Sequence, residues 1–160
     1  MLSHRLRRKF EPWISRGFHF YWRFARATTL GAFGMVIDRE GRIFLVKHSY
    51  VSGWHFPGGG VEPGESLRTG LARELSEEGN IHLTGEPLLH GMYHNPRVSK
   101  RDHVALFIVR DFAQPSAPVP DHEIVDHGFF ALDALPADTG RAARARIAEV
   151  FEGAKVSEVW

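Results

Sequence analysis

The sequence predicts a single α/β domain, residues 27–160, behind a basic and aromatic N-terminal segment, residues 1–26. Three observations carry that reading. Short runs rich in β-branched and aromatic residues recur along the chain, bounded by Gly, Pro, Asn and Asp. Two segments read instead as helices, the first with leucines at helical spacing. Of the 160 residues, 43% are hydrophobic and 24% charged, which suits one core of domain size and argues against a disordered chain.

The N-terminal segment carries seven Lys/Arg and one acid, Glu11, leaving 13 basic and 18 acidic residues in the rest. Leu2, Leu6, Phe10, Trp13 and Ile14 recur at three- and four-residue steps, so an amphipathic helix or arm is expected there. It could fold onto the body or onto a second copy in a homodimer. It could also meet nucleic acid or a membrane surface, as basic segments with aromatics do. The acidic body suits a site that gathers cations rather than one that binds bare phosphate.

The elements follow in order. "TTLGAFGMVID" (28–38) and "GRIFLVKHS" (41–49) flank a short polar turn and read as a hairpin. Residues 50–65 read as a loop, with five Gly and two Pro. "SLRTGLARELSEEGN" (66–80) reads as a helix that buries Leu67, Leu71 and Leu75 and stops at Gly79-Asn80. Gly70 inside it points to close backbone packing. Residues 87–95 and 103–112 read as strands joined by a polar loop, residues 114–124 as a Pro-rich loop, 128–135 as a short strand entering a turn, and 138–153 as a second helix.

Several chemistries are excluded at once. The chain has no cysteine, so disulfides, thiolate metal sites and a Cys nucleophile are out. No apolar run approaches the roughly 20 residues of a membrane span, and the basic start lacks the apolar stretch of a signal peptide. A cytoplasmic location is the expectation. Ten scattered histidines include no H-E-x-x-H motif, so no zinc site is predicted.

The informative stretch is "GGGVEPGES", residues 58–66. From Gly59 it differs by one letter from the phosphate-cradling loop G-x-x-x-x-G-K-[ST], with Glu65 where that loop has Lys. A glutamate there would repel a phosphate. Directly after it, Glu74, Glu77 and Glu78 stand at i, i+3 and i+4, three carboxylates on one helical face. Charged helix faces are common and prove little alone. Set behind a Gly-rich loop, however, carboxylates and backbone carbonyls are the oxygen donors that Mg²⁺ or Mn²⁺ takes.

The spacing then resembles that of the Nudix hydrolases, the MutT-like family. Their box G-x5-E-x7-R-E-U-x-E-E-x-G-U, with U aliphatic, is met by Gly59, Glu65, Arg73, Glu74, Leu75, Glu77, Glu78 and Ile81. The one departure is Asn80 in place of the last glycine. The helix cap moves to Gly79, or Asn80 serves directly.

The resemblance implies an α/β/α sandwich with a mixed sheet, and a pyrophosphohydrolase using Mg²⁺ or Mn²⁺ to cleave a diphosphate linkage in a small nucleotide-type substrate. It implies metal ligation by the Gly58 carbonyl and by Glu74, Glu77 and Glu78, one of which could be the base. Arg73 would orient a glutamate, and Glu65 would support it by pairing with Arg73. The family often adds an acid from a later loop, for which Glu123 is the first candidate and Asp126 the second. Pro96 stands where a proline in the family accompanies ADP-ribose-type substrates, so both nucleoside triphosphates and ADP-ribose-like compounds are expected substrates.

Tyr50 and Trp54 could stack on a base, and Lys100 and Arg101 could meet a substrate phosphate. Two other classes of function remain open: a non-catalytic nucleotide-binding or regulatory protein on the same fold, and an adaptor acting through the basic N-terminus.

Overall fold

The computed structural model describes residues 27–120 and 122–160. The expectations placed on residues 1–26 lie outside the described residues. Among the described residues nine strands form the framework: β1 (Thr29–Val36), β2 (Ile43–His48), β3 (Trp54–His55), β4 (Gly58–Gly60), β5 (His82–Leu83), β6 (Leu88–His94), β7 (Asp102–Val109), β8 (Phe112–Ala113) and β9 (Ile124–Phe130). Helix α1 (Leu67–Gly79) follows β4, and α2 (Arg141–Phe151) follows β9. Strands order as β4-β1-β7-β6, β3-β2-β9 and β5-β8. The first sheet is mixed: β1 runs parallel to β7 and antiparallel to β4.

Strand periodicity explains the layers. Successive side chains point to opposite faces, and here both faces are covered. Ala32 and Val36 of β1, Phe44 and Val46 of β2, and Ala105, Phe107 and Val109 of β7 pack with Leu71 and Leu75 of α1. Met35 and Ile37, Ile43 and Leu45, and Leu106 alternate with them and pack with Ala143 and Ile147 of α2. Burial on both faces is why these strands read as continuous apolar runs. The result is a helix–sheet–helix sandwich, as expected. Gly34 lets α1 approach β1, since a Cβ there would stand 3.0 Å from Leu75 Cδ2.

Helix α1 starts and stops on local signals. The Ser66 hydroxyl accepts from the Thr69 N–H at 3.1 Å, an N-cap bond. At the other end Asn80 takes the left-handed conformation itself (φ 49°), and its N–H reaches the Leu75 and Ser76 carbonyls. Asn80, not Gly79, is the cap. Its side-chain amide also donates to the Ser116 carbonyl at 3.1 Å and hydroxyl at 2.9 Å. Gln114 Nε2 donates to the Gly79 carbonyl at 2.7 Å.

Three expectations need correction. The β1–β2 hairpin survives only as its turn, where Asp38 Oδ1 accepts from the Arg42 N–H at 2.8 Å and one bridge joins Ile37 to Ile43. A strand has two edges, and those of β1 are taken by β4 and β7; β2 therefore pairs with β3 and β9 in a separate sheet. The 50–65 loop contains two short strands, β3 and β4, because Gly58, Gly59 and Gly60 pair with Phe33, Ala32 and Gly31. The short strand expected at 128–135 is β9, which begins at Ile124. Among the described residues no helix is long and apolar enough to cross a membrane.

Candidate active site

Four segments meet at one end of α1. β4 supplies Gly58 and Gly59, α1 supplies Arg73, Glu74 and Glu78, the end of β2 supplies His48, and the residue before β9 supplies Glu123. Antiparallel pairing of β2 with β9 sets His48 opposite Ile124, and the Ser49 N–H donates to the Glu123 carbonyl at 2.9 Å. The ladder therefore carries an acid distant in sequence to the helix.

Glu78 is the centre of the cluster. Its side chain is 8% exposed. Oε2 accepts from the Gly58 N–H at 2.8 Å, and Oε1 lies 3.6 Å from His48 Nε2. Burial first, with the charges of Glu74, Glu123 and Glu77 behind it, pushes its carboxyl up to about 8; the Gly58 hydrogen bond opposes the rise. Glu74 is raised as well, again chiefly by burial, with the Arg73 hydrogen bond opposing. Glu77 lies at the outer rim, with 61% of its side chain exposed.

Arg73 ties the acids together. Its Nε and Nη2 donate to Glu65 at 3.0 and 3.2 Å, Nη1 to Glu74 at 2.7 Å and Glu77 at 3.3 Å, and Nη2 also to the Gly60 carbonyl at 2.9 Å. That use of the planar fork suits arginine and not lysine. The Arg73 hydrogen bond holds the Glu65 carboxyl below its ordinary value. The pairing of Glu65 with Arg73 is thus present.

The glycines give the acids room. A Cβ on Gly59 would stand 2.6 Å from Glu74 Oε1. Gly58 has φ 142°, and a Cβ there would stand 2.4 Å from the Ala32 carbonyl. No other residue type fits at Gly58 without moving β1.

His48, Glu78 and Glu123 offer donor atoms that all lie within 4.8 Å of one another. With Glu74 beside them, these residues fit a bound divalent cation. Glu123, not Asp126, reaches the cluster. Asp126 sits on β9 opposite Lys47, and its carboxylate accepts from the His127 N–H. Tyr50 donates from its hydroxyl to Glu123 Oε1 at 3.0 Å while 67% exposed.

Trp54 is a correction. It is 7% exposed and packs edge-on against Phe130 at 4.8 Å, so its ring belongs to the core and cannot stack on a base. Lys100 and Arg101 are exposed on the β6–β7 turn, where the Arg101 carbonyl accepts from the Thr29 N–H. Sequence reasoning missed His48, one histidine of ten. The only signal for it is that it ends a strand facing the box, and that needs the β2 register.

The NUDIX domain family matches residues 27–151. The chain belongs to that family. A MutT NUDIX hydrolase from Burkholderia pseudomallei superimposes with a TM-score of 0.66 at 25% identity, covering 78% of this chain and 98% of that one. A CTP pyrophosphohydrolase of Escherichia coli is 45% identical over 53 residues, 31% of this chain and 39% of its own length. An 8-oxo-dGTP diphosphatase of Proteus vulgaris is 35% identical over 68 residues, 40% of this chain and 61% of its own. This NUDIX chain thus matches roughly half of its curated relatives' length.

Proposed function

We propose that this NUDIX domain, residues 27–160, is a metal-dependent pyrophosphohydrolase that cleaves a diphosphate linkage in a nucleotide, with nucleoside triphosphates as the first substrates to test. The observation that carries the reading is Glu78, a buried carboxylate held by the Gly58 N–H with Glu74, Glu123 and His48 around it. Such a cluster is costly without a cation and complete with one.

The Gly58 carbonyl, Glu74, Glu77, Glu78 and Glu123 would hold Mg²⁺ or Mn²⁺, which supplies charge neutralisation on phosphate oxygens and an activated water. Arg73 orients Glu74 and screens the crowded charge, and Glu65 fixes Arg73 in turn. A carboxylate of the set takes the proton of the attacking water as its oxygen bonds to phosphorus; the bridging P–O bond breaks and the leaving phosphate takes the electron pair. Glu78, the most buried acid of the set, is the first residue to test by substitution. Tyr50 stands beside Glu123 to meet the nucleotide, and Lys100 and Arg101 are candidates for its phosphates.

The names of the relatives, which act on CTP and 8-oxo-dGTP, favour nucleoside triphosphates over ADP-ribose-like compounds. The test is a hydrolysis screen with Mg²⁺ and Mn²⁺ across canonical and oxidised nucleoside triphosphates, ADP-ribose and dinucleoside polyphosphates, with Glu78→Gln as control. Metal-dependent release of phosphate or pyrophosphate, lost in that variant, is expected. Full turnover in Glu78→Gln would remove the site assignment. No turnover on any substrate, with tight nucleotide binding, would favour the binding-protein reading.

A further inference from the structure

We infer that His48 is itself a metal ligand, so that His48, Glu78 and Glu123 form a nitrogen-containing cation site favouring a first-row transition metal over Mg²⁺. This rests on the metal-dependent reading above. It departs from the oxygen-only ligand set that the resemblance implies.

The case starts from the environment of the imidazole. The His48 side chain is 9% exposed, its Nδ1 is buried without a hydrogen-bond partner, and its Nε2 lies 3.6 Å from Glu78 Oε1, beyond hydrogen-bond range. Nε2, the ring nitrogen that faces Glu78, is the one a cation would take; it makes no hydrogen bond among the described residues, while the unpaired Nδ1 is a separate cost of burial. Its other neighbours are the rings of Tyr50 at 5.1 Å and His55 at 6.2 Å. Neither supplies a bond to it.

The spacing fits a cation shared between Nε2 and Glu78. Two donors each about 2.1 Å from one cation stand about 3.0 Å apart at a right angle and about 4.2 Å apart across it. The observed 3.6 Å between His48 Nε2 and Glu78 Oε1 falls inside that span. All three donors lie within 4.8 Å, and a small rotation of the exposed Glu123 side chain closes the set. Glu78 Oε2 is already turned to Gly58, so Oε1 is the atom presented to the cation.

The chemistry of the donors then sets the preference. Mg²⁺ takes oxygen ligands, whereas imidazole nitrogen suits Mn²⁺, Fe²⁺, Co²⁺ and Zn²⁺ increasingly well. One nitrogen beside two carboxylates therefore tilts the site from Mg²⁺ toward these metals. Glu74 and Glu77 lie on the Arg73 side of the cluster and remain an oxygen-only set.

The experiment uses the full chain loaded with Mn²⁺ and electron spin-echo spectroscopy. Unlabelled protein is expected to show ¹⁴N modulation of the Mn²⁺ signal, replaced by a ¹⁵N pattern when histidines are ¹⁵N-labelled. His48→Gln is expected to lose the modulation and to bind Mn²⁺ about tenfold more weakly relative to Mg²⁺; His55→Gln keeps both. The labelled wild type needs no variant to fold. Mn²⁺ bound stoichiometrically with no nitrogen coupling, or with coupling that persists in His48→Gln, overturns the His48 assignment and leaves the metal-dependent reading intact. No Mn²⁺ bound at millimolar concentration overturns both.

Discussion

Metal-free protein is expected to lose stability as pH rises from about 6.5 to about 8. The perturbed group is Glu78, whose folded carboxyl is raised from 4.5 to about 8 by burial first. Between those values the unfolded chain has released the proton and the folded chain still holds it. Stability therefore falls with rising pH and levels off above about 8. At about 1.4 kcal/mol per pH unit, the roughly 1.5 units of this window are worth about 2 kcal/mol. For a domain of this size that is about 4–8 °C in melting temperature. Raised Glu74 acts in the same direction. His48 is lowered from 6.5 chiefly by burial, so its contribution rises with pH, and only a small remainder of that rise lies above 6.5. The carboxyls of Glu65, Asp138 and Glu149 are lowered, so their losses fall at or below the ordinary carboxylate range. Between 6.5 and 8 the raised glutamates thus set the sign of the change. The assay is differential scanning calorimetry in chelator across that window, beside Glu78→Gln and beside saturating Mn²⁺. The variant and the metal-loaded protein should each flatten the decline. A chelated melting temperature that is level or rising between pH 6.5 and 8, or an equal decline in Glu78→Gln, would refute the reasoning.

Other perturbations separate the parts of the site. Gly59→Ala pushes Glu74 from its seat, given the 2.6 Å approach; turnover should fall at least about tenfold while circular dichroism stays unchanged. Arg73→Lys keeps the charge but loses the fork to Glu65, Glu74 and Gly60, so kcat should fall more than melting temperature. Asn80→Ala should cost about 1–2 kcal/mol in denaturant unfolding because alanine resists the left-handed cap, whereas Asn80→Gly keeps the cap and should cost less, about 1 kcal/mol, for the lost bonds to Ser116. Trp54→Ala should cost about 3–5 kcal/mol as a core truncation, while Tyr50→Phe should leave stability unchanged and alter kinetics only.

How much of this was legible in the sequence follows from what each feature depends on. Helix α1 and its acids depend on local spacing, so Leu71, Leu75, Glu74 and Glu78 could be placed from one stretch of chain. The pairing of Glu65 with Arg73 followed from the resemblance to the box. The left-handed stop was legible at Gly79-Asn80, though not which residue of the two adopts it. Features set by long-range pairing were hidden. Nothing near residue 40 says that β4 and β7 occupy both edges of β1 and send β2 to another sheet. The same register places His48 and Glu123 together, which is why one was missed and the other had a rival in Asp126. Trp54 misled because its loop context hides a two-residue strand beneath which the ring packs.

The amide of Asn80 has a consequence for the segment that delivers Glu123. A glycine would cap the helix equally well, but it could not grip Ser116. With Gln114 held to Gly79, Ser116 to Asn80 and Pro118 to His127, the Pro-rich segment is pinned at three points before it reaches the acid. A tether shortened in this way searches fewer arrangements, so its last carboxylate reaches the other two with less conformational entropy left to lose. A cation arriving at the site then meets donors gathered during folding, and capture by this face should be quick and need little rearrangement of the chain.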